Sequence, residues 1–280
     1  MTCEKCCAMN RALLLAFTAA AWVQGPPFHK QHVTFKSGQL TLAGYLFKPE
    51  GPGPFPTVLW NHGSEPNPGG GPQFDSVAAI FVPAGYAVFA PMRRGHSDSQ
   101  GEYIVDSTNA ETKRHGFAAS RALAAHLLET EQLDDQLAGL AFLKQQALVD
   151  TTRLVVAGCS YGGIQTLLGA EHNAGYRAAV PISPAALSWA TSPELQARLQ
   201  HAAQRITIPV LLIQPPKDAS LEPAHVLGPL LARANPRSRT TVYPVEGPDD
   251  QQGHCFGGAK GMHRWASEVL AFLHDILGKP

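Results

Sequence analysis

The sequence predicts an α/β fold in which a mostly parallel sheet is covered by helices on both faces and preceded by an antiparallel hairpin. Three observations carry this. Short apolar runs recur at TVLWNHG, AGYAVFAPM, RLVVAGCS, YRAAVPISP and IPVLLIQPP without polar alternation, the pattern of strands buried on both faces. Segments with helical spacing separate them, which is the order of a crossover-connected sheet. Ahead of all of them, residues 31 to 50 (QHVTFKSGQLTLAGYLFKPE) alternate with period two around Ser37-Gly38, a hairpin signal.

Each element follows in chain order. After the hairpin and the proline-rich GPGPFP comes the strand TVLW, then a helix in QFDSVAAIFVPAG, then the strand AVFAP. The longest helical stretch lies at 117 to 147, where Leu133, Leu137, Leu140 and Leu143 fall on one core-facing side. It is longer than one crossover helix requires. Residues from about 98 to 128 are therefore expected to contain an extra helix or a small cap insertion. The strands RLVVAGCS, YRAAVPISP, IPVLLIQPP and TTVYPVEG follow, and FGGAKGMHRWASEVLAFLHDILG ends the chain as an amphipathic helix. No linker divides residues 26–280, which read as a single domain.

The first 25 residues read differently. Arg11 precedes ALLLAFTAAAWV, an apolar run that ends at QGPP and is too short to span a bilayer comfortably. It reads as a signal peptide with small residues at Ala19 and Ala21, or else as an N-terminal apolar helix packed on the domain. Cys3, Cys6 and Cys7 make an untidy start, whereas the stretch from Met9 is tidy. The signal-peptide reading implies export, to the periplasm or the outside, and the other reading a cytoplasmic location. No stable membrane insertion is expected after processing.

Composition narrows the partners. Lys plus Arg equals Asp plus Glu at 22 each in 280 residues, so no overall field recruits nucleic acid. A small, nearly neutral molecule fits better. No repeat appears, and the cysteine and histidine spacing matches no metal motif. Beyond the N-terminal segment only Cys159 and Cys255 remain, too few for a disulfide framework; they flank Ser160 and His254, which suggests a disulfide or redox switch, but Cys159 reads more readily as a small core residue.

The chemistry centres on LVVAGCSYGGIQTLL. A sharp turn from strand to helix crowds its apex, so Gly158 and Gly162 must lack side chains, and Ser160 is lifted out as a nucleophile. In an open parallel sheet the catalytic groups gather at the carboxyl ends of the strands. There the chain supplies Asp218 after IPVLLIQPP and His254 after TTVYPVEG. His254 would take the Ser160 proton and return it to the leaving group, while Asp218 would orient the imidazole. Asp249 and Asp250 rival Asp218, and His225 and His263 rival His254. The oxyanion donors are expected to be the Tyr161 N–H at a helix N-terminus and the N–H of Ser64, or of its neighbour Gly63, in NHGSEPNPGGG. Arg93 suits either a substrate carboxylate or ion pairing of its own turn, RRGHSDSQG. Tyr161, Trp60 and Trp189 are candidate pocket walls: Tyr161 follows the serine, Trp189 lies beyond the strand at 176 to 184, and Trp60 reads equally as ordinary strand core.

On the early hairpin, WNHG, RRGHSDSQG, GCSYGG, PPKDAS and GHCF, the chain from 31 to 280 resembles the α/β-hydrolase superfamily, and within it the dienelactone-hydrolase-like and prolyl-oligopeptidase-like branch. The resemblance implies hydrolysis of an ester, or less often a peptide, with no cofactor. It departs in two places: dienelactone hydrolases carry a cysteine where Ser160 stands, and prolyl peptidases carry an N-terminal propeller for which this chain has no room. A serine esterase for small to medium carboxylic esters is the expected function. A peptidase or amidase with the same triad, and a non-catalytic ligand-binding protein of the same fold, are the alternatives.

Overall fold

The computed structural model describes residues 28–68, 73–246 and 253–280, so the N-terminal segment read as a signal peptide and the rivals Asp249 and Asp250 lie outside the described residues. Eight strands form one sheet: β1 (His29–Ser37), β2 (Leu40–Lys48), β3 (Phe55–Asn61), β4 (Ala87–Pro91), β5 (Val149–Cys159), β6 (Tyr176–Ile182), β7 (Leu211–Gln214) and β8 (Arg239–Val242). Their order is β1-β2-β4-β3-β5-β6-β7-β8. β1 and β2 form the expected hairpin, β2 also runs antiparallel to β4, and every pairing from β4 through β8 is parallel.

The apolar runs explain this arrangement. Along β5, Leu154 and Val156 pack into one core while Val155 and Ala157 pack into the other, and all four are buried. Helices α1 (Gln73–Phe81) and α8 (Met262–Leu277) close the second face through Val77, Phe81, Trp265 and Phe272. On the first face lie α4 (Glu131–Lys144), α5 (Tyr161–His172), α6 (Pro193–Arg205) and α7 (Glu222–Ala234).

The helical stretch at 117 to 147, expected to exceed one crossover helix, is two helices. α3 (Phe117–Glu129) and α4 are separated at Thr130, whose backbone (φ −111°, ψ −97°) leaves the helical region. Leu133, Leu140 and Leu143 are buried on α4 and Leu137 is partly so, which matches the predicted core stripe. Ahead of α3 lies α2 (Ile104–His115), so two helices occupy the region around 98–128. No helix among the described residues is long and apolar enough to cross a membrane.

Candidate active site

Ser160 sits between the end of β5 and the first turn of α5 with φ +60° and ψ −120°, a backbone strained for any residue with a Cβ. The surroundings hold it there. Its N–H donates to the Ile182 carbonyl (3.0 Å), and its carbonyl accepts from the Ile164 N–H (3.1 Å), which starts α5. A Cβ on Gly158 would come within 2.5 Å of the Asn61 carbonyl oxygen, and one on Gly162 would collide with that same oxygen. Both glycines are thus required by the approach of β3, as the turn chemistry predicts.

Asp218 and His254 meet as the chain order suggests. His254 Nδ1 lies 2.7 Å from Asp218 Oδ1, and the Asp218 side chain is fully buried. Gln214 Nε2 donates to Asp218 Oδ2 (2.6 Å) and the Ala219 N–H to Oδ1 (2.8 Å), so neither carboxylate oxygen can turn away. His254 Nε2 is buried and has no hydrogen-bond partner among the described residues. It shares with Ser160 a pocket of about 240 Å³ whose walls include Gly63, Ser64, Trp60, Leu187, Met262 and Trp265. His225 and His263 do not line it.

The loop after β3 is braced from behind. Arg93 is only 1% exposed, and its guanidinium donates to the carbonyls of His62 (2.9 Å) and Gly63 (2.6 Å) and to Gln132 Oε1 (3.1 Å). The Tyr103 hydroxyl donates to the Ser64 carbonyl (2.5 Å). In a trans peptide the C=O and the following N–H point opposite ways. With the His62 and Gly63 carbonyls turned toward Arg93, the Gly63 and Ser64 N–H groups therefore face away from it, and they donate to no protein group among the described residues. The Arg93 N–H donates to His62 Nε2 (3.2 Å), which assigns the His62 proton to Nδ1, where Gly63 O lies 2.9 Å away. Burial, then the Arg93 charge, then His96 hold His62 well below the ordinary imidazole range. Burial and Arg93 likewise lower His96 to about 4, and burial lowers Arg93 to about 10, so the guanidinium stays charged at neutral pH.

Two expectations need correction. Arg93 was a candidate for binding substrate, yet every donor group of its guanidinium that the structure pairs faces protein acceptors, and it does not line the pocket. Among the described residues it also makes no ion pair with a carboxylate; Arg94 does that in the same turn, bonding Asp135 and Glu131. Trp189 is 5% exposed and packs in the core on the α4–α7 side, away from the Ser160 pocket. Trp60, Met262 and Trp265 form that wall instead, with the two indoles stacked at 6.0 Å. The apolar spacing of the last helix was the available signal for Met262 and Trp265.

Cys159 is also not the simple core residue expected. It forms a disulfide with Cys255, their Cα atoms 6.0 Å apart, which ties the residue before Ser160 to the residue after His254. The Cys255 N–H donates to Ser183 Oγ (3.2 Å). Beyond it the chain runs through positive φ at Cys255, Phe256, Gly257 and Gly258, with Phe256 fully buried against Tyr243. A sequence signal existed: if Ser160 and His254 meet, their neighbours can too.

The fold is shared with known structures. The esterase Pf2001 of Pyrococcus furiosus superposes with a TM-score of 0.67 over 90% of this chain and 94% of that one, at 19% identity. The chain has the α/β-hydrolase fold. Residues 72–194 match the prolyl oligopeptidase family. Within the same fold, the acylaminoacyl peptidase of Pyrococcus horikoshii matches at 18% identity and a TM-score of 0.64, over 91% of this chain but 43% of the peptidase. Est1E of Butyrivibrio proteoclasticus, solved with ferulic acid bound, matches at 16% identity and 0.65, over 88% of this chain and all of that one.

Proposed function

We propose that this α/β-hydrolase is a serine esterase that cleaves small to medium carboxylic esters through an acyl-enzyme. The observation that carries the reading is that His254, already fixed to Asp218 at 2.7 Å, presents an unpartnered Nε2 to the pocket that holds Ser160. Ser160 Oγ attacks the ester carbonyl as its proton passes to His254 Nε2. The negative charge that develops on the carbonyl oxygen is met by the Tyr161 N–H, at the positive end of α5, and by the Ser64 N–H, with Gly63 beside it. His254 then protonates the leaving alcohol. Water, deprotonated by the same nitrogen, releases the acid and restores Ser160. Asp218 stabilises the imidazolium in both halves without taking its proton. The chain's own groups supply nucleophile, base and electrostatic stabilisation, so the mechanism calls for no cofactor.

An ester is favoured by the likeness to an esterase along nearly that protein's whole length. The match to the prolyl oligopeptidase family is what keeps a peptidase or amidase as the second reading. The Cys159–Cys255 bond fits an exported protein, since disulfides persist in oxidising compartments. Steady-state turnover of p-nitrophenyl esters from acetate to octanoate, beside an aminoacyl p-nitroanilide, tests the reading. Ester turnover that vanishes in Ser160→Ala, with little anilide cleavage, is the expected result. Preferred anilide cleavage would replace the esterase with a peptidase, and equal inertness of both proteins would overturn both readings.

A further inference from the structure

A second cavity, of about 170 Å³, opens between α3 and the start of α6. It adjoins the Ser160 pocket: Leu187, 65% exposed, lines both, and Tyr161, the residue after the nucleophile, lines the second. Leu128 and Leu195 give it an apolar side. Arg121 is the one charged residue in its wall.

That arginine is unlike the others near it. Arg93 is enclosed by protein acceptors, and Arg94 and Arg198 each bond two carboxylates. Arg121 lies over the Phe117 ring (5.1 Å to the centroid) and forms no ion pair, and its Nε is buried without a hydrogen-bond partner among the described residues. The Nε itself is sealed off, but the two terminal nitrogens of Arg121 form no hydrogen bond to the described residues either, and a carboxylate in the cavity can take both in the fork geometry that arginine offers. Phe117, 62% exposed, continues the Arg121 stack outward as a flat face for the ligand's carbon skeleton.

We infer that this cavity receives the far end of the ester and that Arg121 binds a carboxylate carried there, which makes the preferred substrates esters bearing an acidic group. The inference rests on the esterase reading and deepens it by naming the substrate class. Leu187, shared by the two pockets, would then lie against the chain that joins the reacting carbonyl to the anion.

The test compares kcat/KM for mono-p-nitrophenyl esters of dicarboxylic acids, succinate through suberate, each with the neutral ester of equal carbon number. Carboxylated aryl acetates against neutral aryl acetates probe the alcohol side in the same way. The anionic-to-neutral ratio is measured in the wild type, Arg121→Gln and Arg121→Lys. At the length that spans the two pockets, or on the alcohol side, the ratio should fall roughly tenfold or more in Arg121→Gln, mainly through KM, and be partly kept in Arg121→Lys. Added salt should weaken the wild-type preference. A ratio that moves less than twofold in Arg121→Gln across both series, with neutral esters still cleaved and Ser160 still labelled by a fluorophosphonate, overturns the subsite alone. Absence of ester turnover in every protein overturns the esterase reading and the subsite with it.

Discussion

Two loops face each other across Ser160, and they are held in place by different physics. The loop after β3 is fixed by polar contacts from behind: Arg93 and Tyr103 take up three successive carbonyls, those of His62, Gly63 and Ser64. The loop carrying His254 is fixed by a covalent bond, because Cys255 is tied to Cys159, one residue from Ser160. The difference follows from the backbone each loop must adopt. The first needs only its peptide planes oriented, which a buried guanidinium does well. The second passes through positive φ at two residues with side chains, Cys255 and Phe256, a conformation that relaxes unless its surroundings enforce it. Hydrogen bonds suffice to aim donors, whereas strained chain is better held by a bond that cannot exchange with water.

Removing each anchor in turn tests this contrast, and the largest effect is expected at the disulfide. It closes a separation of 96 residues, and loop-closure entropy puts its loss at about 4.7 kcal/mol of stability. The double variant Cys159→Ala/Cys255→Ala should unfold at lower urea and should lose kcat more than it gains KM, and reductant on the wild type should do the same. Unchanged kcat after verified reduction would mean that the His254 loop is held by its other contacts. Next comes Arg93→Met, which leaves two carbonyls without their donor and should cost about 3 kcal/mol by urea titration. Its kcat should fall toward 100-fold as the Gly63 and Ser64 amides lose their aim. Arg93→Lys should recover little, since an ammonium cannot reproduce the planar fork.

Acid should act on the β3 side through His96. His96 has a folded pKa lowered to about 4 from an unfolded value near 6.5, so between these the unfolded chain binds a proton that the folded chain does not. Stability contributed by neutral His96 is therefore full above pH 6.5 and declines as pH falls, by about 1.4 kcal/mol per unit down to pH 4. His62, lowered also, adds with the same sign. Urea midpoints at pH 7, 6 and 5 measure this, and His96→Phe should flatten the decline. The smallest effect is expected from Gln214→Leu, which frees Asp218 Oδ2. About 1 kcal/mol of stability and a roughly tenfold lower kcat at constant KM are the expected readings.

The sequence reveals what the chain encodes locally. The elbow is legible because two glycines are demanded by backbone approaching within contact distance, and the sheet is legible because doubly buried strands must be apolar throughout. The chain order of Ser160, Asp218 and His254 is legible once each is placed at a strand end. What stays hidden depends on tertiary partners that carry no pattern. Arg93 serves carbonyl groups, which every residue has, so nothing in its neighbourhood separates it from an arginine that binds substrate. Trp189 looked like a wall from its place after β6, but the turn that follows folds it inward, and α8 supplies the aromatic wall instead. The break at Thr130 escaped because the apolar spacing of α3 and α4 runs on across it.

The central claim is that Ser160 is a nucleophile activated by His254 in this pocket. Intact-mass spectrometry of the protein after brief exposure to a fluorophosphonate, followed by peptide mapping, tests it most directly. One adduct is expected, on the peptide containing Ser160, formed far more slowly in His254→Ala and absent in Ser160→Ala. A wild-type protein that stays unmodified, or that carries the adduct on another residue, would contradict it.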